Sequence, residues 1–225
     1  MQRQPLKAII FDMDGVLIDS EPMHLRSYQE ILSGHGIAYS EKDNREFLGR
    51  KDIVILDMLK QRHNLERSAD DLLAEKEAIL ARLLKHDSVP RPGLMSVLEE
   101  AHSHAVPMAV ASSATLPTIE LVVDTLGIRS YFQALTSGDE VTHGKPAPDV
   151  YLLAARRLGV DPLLCMAIED TAAGIAAAKA AGMYCVAIPC EATRHQDHGE
   201  ADLRLESLEE LDLKALLDLP LETSD

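Results

Sequence analysis

Two aspartates, Asp12 and Asp14, stand one residue apart directly after the apolar run at residues 8–11. Each carboxylate disfavours ionisation of the other, and burial at the end of a strand adds a desolvation cost. A metal ion, a lysine, or a surface turn that leaves both groups in water could each relieve that cost. The pair alone does not decide between these, because aspartate is also a common turn residue.

Three later segments supply further polar groups, each at or after an apolar run. Ser112 and Ser113 come at the end of one run, Lys145 lies in a loop with two prolines, and Glu169 and Asp170 follow another run. Taken singly, a serine could cap a helix, the lysine could be solvated, and the acidic pair could favour a helix N-terminus. Because all five residues lie at or after apolar runs, we treat them as candidates for one site.

Short apolar runs rich in β-forming residues predict strands at 7–11, 107–111, 132–136, 165–168 and 184–188. Helical patterns lie between them, at 95–105, 116–126, 149–158 and 172–181. Gly127, Gly159 and Gly182 follow three of these helices, where C-terminal caps belong. The alternation predicts an α/β fold, a Rossmann-like parallel sheet with helices on both faces.

The interval 20–88 breaks this rhythm, because it contains no convincing strand. It predicts helices at 22–33, 40–48, 53–63 and 69–85, with Ser40 and Ser68 as N-caps. We therefore expect an inserted α-helical domain over 20–88, and a sheet domain formed by 1–19 and 89–225. The segment Pro90-Arg91-Pro92-Gly93 is a natural hinge between them.

The carboxyl ends of parallel strands meet at one edge of a sheet, where ligands bind. We therefore expect Asp12, Asp14, Glu169 and Asp170 to converge there, together with Lys145 and the serine pair. Carboxylate oxygens are ligands that suit Mg²⁺. The pattern predicts a Mg²⁺ site with an added positive charge from the lysine.

The bulk composition narrows the class of partner. The 225 residues carry a net charge of −15, which argues against binding to nucleic acid or an anionic membrane surface. The three cysteines include no CxxC pair, and they are expected to be buried, reduced thiols. The N-terminus has no signal-peptide pattern and no long run is apolar enough to span a membrane, so we expect a cytoplasmic protein. We also expect a monomer.

The stretches FDMDGVLIDSE, VASSA, GKPAPD and IEDTAAGIAAAKAAGM, in this order, resemble the four motifs of the haloacid dehalogenase superfamily of hydrolases. The insert resembles the small helical cap of β-phosphoglucomutases and many sugar-phosphate phosphatases. The resemblance covers nearly the whole chain. It implies that Asp12 is the nucleophile, that Asp14 is the general acid/base, and that Ser112 and Lys145 hold the phosphoryl group. It also implies that Asp12, Asp170 and the backbone carbonyl of Asp14 bind Mg²⁺.

Asp14 favours phosphoryl transfer over dehalogenation, because the dehalogenases of the superfamily lack an aspartate at that position. The resemblance thus implies a phosphatase acting on a small phosphorylated metabolite, a sugar phosphate. A sugar phosphomutase is the alternative. A non-catalytic phosphate- or metal-binding regulator is a third interpretation, which the intact motif set argues against.

Substrate residues are harder to predict. Ser113 and Glu169 are candidates at the sheet edge, and His24, Arg50 and Lys76 are candidates in the insert. The alternatives without a role in substrate binding are a structural histidine for His24 and a solvated lysine for Lys76. Ala114 replaces a third polar residue found in many relatives, and Asp52 falls where mutases carry a phosphate-binding arginine. The histidine-containing stretch at 194–200 is predicted to be a solvated loop.

Overall fold

The structure, a computed structural model, describes residues 5–47 and 52–217. The chain divides into two compact units, which we call the sheet unit (residues 1–19 and 89–225) and the helical unit (residues 20–88). Within the described ranges, no helix combines the length and apolar character needed to cross a membrane.

Over its described residues, the sheet unit contains one six-stranded sheet in which every neighbouring pair is parallel. Its strands are β1 (Ala8–Phe11), β2 (Met108–Ser112), β3 (Ala134–Ser137), β4 (Cys165–Glu169), β5 (Tyr184–Ala187) and β6 (Leu203–Arg204). The strand order is β3-β2-β1-β4-β5-β6, so β1 and β4 are the two central strands. All residues of these two strands are buried, as expected for a parallel sheet covered on both faces.

Helices alternate with the strands of this unit: α5 (Leu94–Ser103), α6 (Leu116–Thr125), α7 (Asp149–Leu158), α8 (Ala172–Ala180) and α9 (Leu213–Leu217). Gly159 ends α7 with a φ of +68°, the left-handed conformation that glycine adopts without strain. The Rossmann-like α/β fold is confirmed.

The helical unit consists, over its described residues, of α1 (Glu21–Ser33), α2 (Glu41–Arg45), α3 (Asp52–His63) and α4 (Ala69–Asp87). Ser40 and Ser68 cap α2 and α4 as predicted, each accepting a backbone N–H with its hydroxyl. Buried side chains such as Tyr28, Leu56 and Leu72 form its own hydrophobic core.

The predicted elements differ from the observed ones mainly at their ends. Helix α2 ends at Arg45, whereas the prediction extended to residue 48, which lies outside the described residues. Strand β6 was missed, because only two residues, Leu203 and Arg204, pair with β5 and one of them is exposed. Such a short and half-polar segment carries no period-2 signal.

Candidate active site

Three strand ends bring polar groups to one edge of the sheet. Asp12 follows β1, and its backbone N–H donates to the carbonyl of Ile168 at 3.0 Å. Phe11 is in register with both Val110 of β2 and Ile168 of β4, so β2 and β4 also end here. The Asp12 side chain is almost fully buried, with the residue only 6% exposed. Its carboxylate is therefore out of bulk water, which excludes the solvated-turn interpretation.

Lys145 reaches this edge from the loop before α7. Its Nζ donates to Asp12 Oδ1 and to Glu169 Oε1, each at 2.5 Å, and to the carbonyl of Ala111 at 3.2 Å. Burial opposes the charged ammonium, but the carboxylates of Asp12 and Glu169 outweigh it and raise the pKa of Lys145 above its ordinary range. The lysine is thus a fixed cation shared by two carboxylates.

Glu169 is buried and held through both of its oxygens. Besides Lys145, Oε1 accepts the hydroxyl of Tyr151 at 2.7 Å. Oε2 accepts the backbone N–H groups of Asp170 at 3.0 Å and Thr171 at 3.2 Å. Burial alone would raise the pKa of Glu169, but the Lys145 ammonium and these hydrogen bonds hold it below its ordinary range. Glu169 is therefore an ionised group anchored within the fold.

Asp170 has the opposite arrangement, with one oxygen held and one left over. Its Oδ2 accepts hydrogen bonds from Thr193 Oγ1 at 3.1 Å and from Cys190 Sγ at 3.4 Å. Its Oδ1 is buried and has no hydrogen-bond partner within the described part of the chain. Burial, with a further contribution from Glu169, raises the pKa of Asp170 to about 7. An unsatisfied buried carboxylate oxygen is costly unless something binds it.

The site also depends on glycine at position 15. Gly15 adopts a φ of +82°, and a Cβ built there would lie 2.1 Å from Asp170 Oδ2. Any side chain at Gly15 would therefore displace the Asp170 carboxylate. The absence of a side chain lets the loop after β1 pack directly on that carboxylate.

Oxygens of Asp12, Glu169 and Asp170 lie within 4.8 Å of one another. Burial raises the pKa of Asp12 well above its ordinary range, with additional contributions from Glu169 and Asp170, while Lys145 acts in the other direction. Three carboxylates facing one ammonium leave excess negative charge, and the unsatisfied Oδ1 of Asp170 is a hard oxygen donor. The residues present therefore fit a small divalent cation such as Mg²⁺.

The remaining sheet-edge candidates are near the ends of β1 and β2. Asp14 is half-buried in the turn after β1, in which the Gly15 N–H donates to the Ile18 carbonyl at 2.7 Å. Ser112 is buried, and its Oγ accepts the backbone N–H of Ala114 at 3.1 Å. Ser113 is exposed. The strand ends thus position these groups, while their roles stay predictions.

In the helical unit, Lys76 is 0% exposed, so the alternative of a solvated lysine is wrong. Its Nζ donates to Asp52 Oδ2 at 2.5 Å and to His24 Nδ1 at 3.0 Å, and it lies 5.0 Å from the centre of the Tyr28 ring. Tyr28 donates its hydroxyl to Asp52 Oδ1 at 2.6 Å. We call these four side chains the Lys76 cluster. The Arg50 candidate lies outside the described residues.

Charge is balanced inside the Lys76 cluster. Burial would raise the pKa of Asp52, but Lys76 and the Tyr28 hydroxyl hold it below its ordinary range. The lysine donates to His24 Nδ1, so that nitrogen is the unprotonated acceptor and the ring proton is on Nε2. Asp52, which falls where mutases carry a phosphate-binding arginine, is thus already paired with a cation.

The stretch predicted to be a solvated loop, 194–200, is partly buried. His198 is only 7% exposed, and its ring Nε2 lies 2.9 Å from the carbonyl oxygen of Asp170, so the prediction of a solvated loop is wrong at this residue. Cys190 is a buried free thiol as predicted, but its contact with Asp170, that of Thr193 with Asp170 and that of Tyr151 with Glu169 are not predicted from the sequence. The available signal was position: 190–198 directly follows the predicted strand at 184–188, and therefore starts from the same sheet edge.

Comparison with known proteins agrees with this geometry. The family model described as haloacid dehalogenase-like hydrolase matches residues 6–182. The chain belongs to the haloacid dehalogenase-like hydrolase family. It is 37% identical to fructose-1-phosphate phosphatase YqaB of Escherichia coli over 179 residues, which cover 79% of this chain and 94% of that protein.

Solved structures of this hydrolase family are similar over almost the whole chain. A CbbY mutant from Rhodobacter sphaeroides in complex with xylulose-(1,5)bisphosphate matches with a TM-score of 0.82 at 30% identity, covering 94% of this chain and 99% of that chain. A putative β-phosphoglucomutase from Thermotoga maritima matches with a TM-score of 0.81 at 28% identity, covering 91% and 96%. The sheet and the helical insert are therefore those of a haloacid dehalogenase-like enzyme.

Proposed function

We propose that this enzyme is a Mg²⁺-dependent phosphatase that hydrolyses a small phosphorylated metabolite, specifically a sugar phosphate, through an aspartyl-phosphate on Asp12. The observation that carries the proposal is the buried sheet edge, where Asp12 contacts Lys145 and has a carboxylate oxygen within 4.8 Å of one of Asp170, whose Oδ1 has no hydrogen-bond partner among the described residues. Several buried charged groups with shifted pKa values, gathered at one edge of a sheet, are typical of functional sites.

Mg²⁺ would be held by Asp12, by Asp170 and by the backbone carbonyl of Asp14. When bound, it supplies positive charge that neutralises the phosphoryl oxygens and keeps Asp12 ionised. Glu169 adds negative charge to the site, but both of its oxygens already accept hydrogen bonds from Lys145, Tyr151 and backbone N–H groups. We therefore assign Glu169 to holding Lys145 rather than to substrate contact.

In the first step, a carboxylate oxygen of Asp12 attacks phosphorus. The bond between phosphorus and the ester oxygen breaks, and Asp14 donates a proton to that leaving oxygen. Lys145 and Ser112 hold the phosphoryl oxygens, which reduces their repulsion of the attacking carboxylate. In the second step, water attacks phosphorus, Asp14 accepts its proton, and the bond to Asp12 breaks to release inorganic phosphate.

The similar proteins support the substrate class. One relative is named a fructose-1-phosphate phosphatase, and a similar CbbY structure contains xylulose-(1,5)bisphosphate. Both names describe phosphorylated sugars. A sugar phosphate is therefore the substrate class that we propose for this chain.

A sugar phosphomutase is the second candidate, favoured by the similarity to a putative β-phosphoglucomutase. A mutase must bind a doubly phosphorylated intermediate, which needs a second cationic group, ideally a bidentate arginine. Lys76 does not provide one, because its charge is already compensated by Asp52. This pairing supports the phosphatase over the mutase.

The test is a panel of phosphorylated metabolites with Mg²⁺, scored for both free phosphate and isomerised sugar phosphate. We expect free phosphate from at least one sugar phosphate and none from Asp12→Asn. The matched control is Asp124→Asn, which changes an exposed carboxylate on α6. Glucose-1-phosphate should give phosphate or no product. Its conversion to glucose-6-phosphate with a bisphosphate primer, lost on Arg50→Ala, would establish the mutase instead.

A further inference from the structure

The segment after β5 places three polar side chains around Asp170. None of them belongs to the four sequence motifs that supply the other groups at the sheet edge. Cys190, Thr193 and His198 are all buried, although they belong to a segment without a regular helix or strand. Thr193 and Cys190 donate to Asp170 Oδ2, and His198 contacts the Asp170 carbonyl. We call these three residues the Asp170 cradle.

The hydrogen-bond directions in the cradle can be assigned from the available donors. The Thr193 hydroxyl accepts the backbone N–H of Cys190 at 3.0 Å, so its own proton is available for Asp170 Oδ2 at 3.1 Å. A carbonyl oxygen can only accept, so His198 must carry its ring proton on Nε2 to bond Asp170 O. The side chain and the main chain of Asp170 are therefore held by separate donors.

Further contacts fix the segment to the strand ends. The backbone N–H of Ile188 donates to the Glu169 carbonyl at 2.7 Å, and that of Ala172 donates to Gln196 Oε1 at 2.9 Å. Together with the cradle, these bonds attach the segment to every residue from 169 to 172 except Thr171. The segment is thus fastened to the start of α8 rather than lying free in solvent.

The cradle occupies one oxygen of Asp170 and leaves the other. Gly15 packs against the carboxylate at so short a distance that a Cβ there would lie 2.1 Å from Oδ2. With Oδ2 held by Thr193 and Cys190, the carboxylate has little freedom to rotate. Its Oδ1 stays buried and without a hydrogen-bond partner among the described residues, and the Asp170 carboxylate has an oxygen within 4.8 Å of one of Asp12.

We infer that Thr193, Cys190 and His198 are positioning residues that pre-orient Asp170 Oδ1 as a ligand for the divalent cation. The inference rests on the proposed function, because it assumes that Asp170 binds that cation. Groups that orient a metal ligand through hydrogen bonds typically change metal affinity by about 10–100-fold when removed. Removing a hydrogen bond of the cradle should therefore weaken Mg²⁺ binding more than it lowers the stability of the fold.

The decisive pair of variants is Thr193→Val and Thr193→Ser. Valine keeps the shape of threonine but removes the hydroxyl, whereas serine keeps the hydroxyl. We expect the Mg²⁺ dissociation constant of Thr193→Val, measured by titration calorimetry on the metal-free protein, to rise by about 10-fold. Thr193→Ser should remain close to wild type, and kcat at saturating Mg²⁺ should change much less than the Mg²⁺ concentration needed for half-maximal rate.

Each outcome separates the inference from the proposed function. If wild type does not bind Mg²⁺, the proposed metal site fails and the cradle's role fails with it. If wild type binds but Thr193→Val binds equally well, or if Thr193→Ser loses affinity as much as Thr193→Val, the cradle inference alone is wrong. Should Thr193→Val not fold, Cys190→Ala removes the second donor to Oδ2, and unchanged Mg²⁺ affinity in that folded variant would overturn the inference.

Discussion

The two units each bury a lysine among acidic and aromatic side chains, but the two lysines have different surroundings. Lys145 contacts Asp12 and Glu169, with Asp170 nearby, so three carboxylates face one ammonium. Among the described residues, Lys76 contacts one carboxylate, that of Asp52, and its other partners are the rings of His24 and Tyr28, neither of which is acidic. One cluster carries an excess of negative charge, and the other is balanced within itself.

This difference teaches how to distinguish a reactive cluster from a structural one. In the Lys76 cluster both oxygens of Asp52 have hydrogen-bond donors, namely Lys76 and the Tyr28 hydroxyl. At the sheet edge, Oδ1 of Asp170 has no donor among the residues that the structure describes, and burial raises the pKa of both Asp12 and Asp170. A bound cation would satisfy the free oxygen of Asp170 and stabilise the ionised forms of Asp12 and Asp170, whereas both oxygens of Asp52 already have donors within the protein.

Removing the charge of Asp12 should have the largest effect. Asp12→Asn cannot form the aspartyl-phosphate, so we expect phosphate release to fall by at least about a hundredfold, the scale by which catalytic groups are judged. The variant should unfold at a higher temperature than wild type without metal, because burial and the neighbouring carboxylates outweigh Lys145 and disfavour a charged Asp12, while Lys145 keeps Glu169 as its partner. Phosphate release and thermal unfolding of the metal-free protein measure the two effects.

Asp124→Asn is the control, since it alters an exposed carboxylate. Turnover by Asp12→Asn above about one hundredth of the wild-type rate would exclude Asp12 as the nucleophile.

Substitution of Lys76 should lower the free energy of unfolding. Lys76→Met leaves Asp52 and Tyr28 without their cation, and removing one partner of a fully buried pair costs about 3–5 kcal/mol. The Asp52 side chain is 34% exposed. Solvent screening therefore lowers our expected loss in the free energy of unfolding to about 2 kcal/mol. The double variant Lys76→Met with Asp52→Asn should recover part of it, as measured in a double-mutant cycle by urea denaturation.

An additive cycle, in which the two changes do not compensate each other, would show that the cluster is not an ion pair in solution. A stable Lys76→Met variant that binds sugar phosphates much more weakly would instead make Lys76 a substrate residue.

The comparison also explains which parts of the site could be predicted. Asp12, Lys145 and Asp170 follow or flank apolar runs, and a parallel sheet brings such strand ends together. Lys76 had a readable signal that was not used: it stands four residues after Leu72 and four before Leu80, on the buried stripe of α4.

His198 and Thr193 had a weaker signal. Their contacts with Asp170 depend on the path of a segment without regular structure. Helical and strand periodicities predict which face of an element is buried, but they do not predict such a path. Sequence reasoning could place the segment at the sheet edge, and only the three-dimensional structure shows which of its side chains turn inward.

The excess charge at the sheet edge predicts a pH dependence of stability without metal. Because burial raises the pKa of Asp170 to about 7, the folded state binds a proton at pH values where the unfolded carboxyl is ionised. The metal-free protein should thus lose stability as pH rises from about 4 to about 7, with a slope of up to about 1.4 kcal/mol per pH unit for this group, and then level off. The raised pKa of Asp12 acts in the same direction.

Saturating Mg²⁺ should flatten this dependence, because the cation binds the ionised carboxylates. Asp170→Asn should flatten it without metal, apart from the contribution of Asp12. Thermal unfolding between pH 5 and pH 8, with Mg²⁺ and with chelator, tests both expectations. Equal slopes in wild type and Asp170→Asn would contradict the assignment of the proton to Asp170.

The smallest effect is expected where the sheet edge most resembles the Lys76 cluster. Tyr151 donates to Glu169 Oε1, as Tyr28 donates to Asp52. Tyr151→Phe removes one hydrogen bond, but Glu169 keeps Lys145 and two backbone donors, so we expect a loss of only about 1 kcal/mol in the free energy of unfolding. Tyr28→Phe is the matched variant in the helical unit. If Tyr151→Phe lowered kcat by more than about tenfold with little change in stability, Tyr151 would be positioning Lys145 for phosphoryl transfer. Tyr28 has no such role, because we propose no catalytic group in the Lys76 cluster.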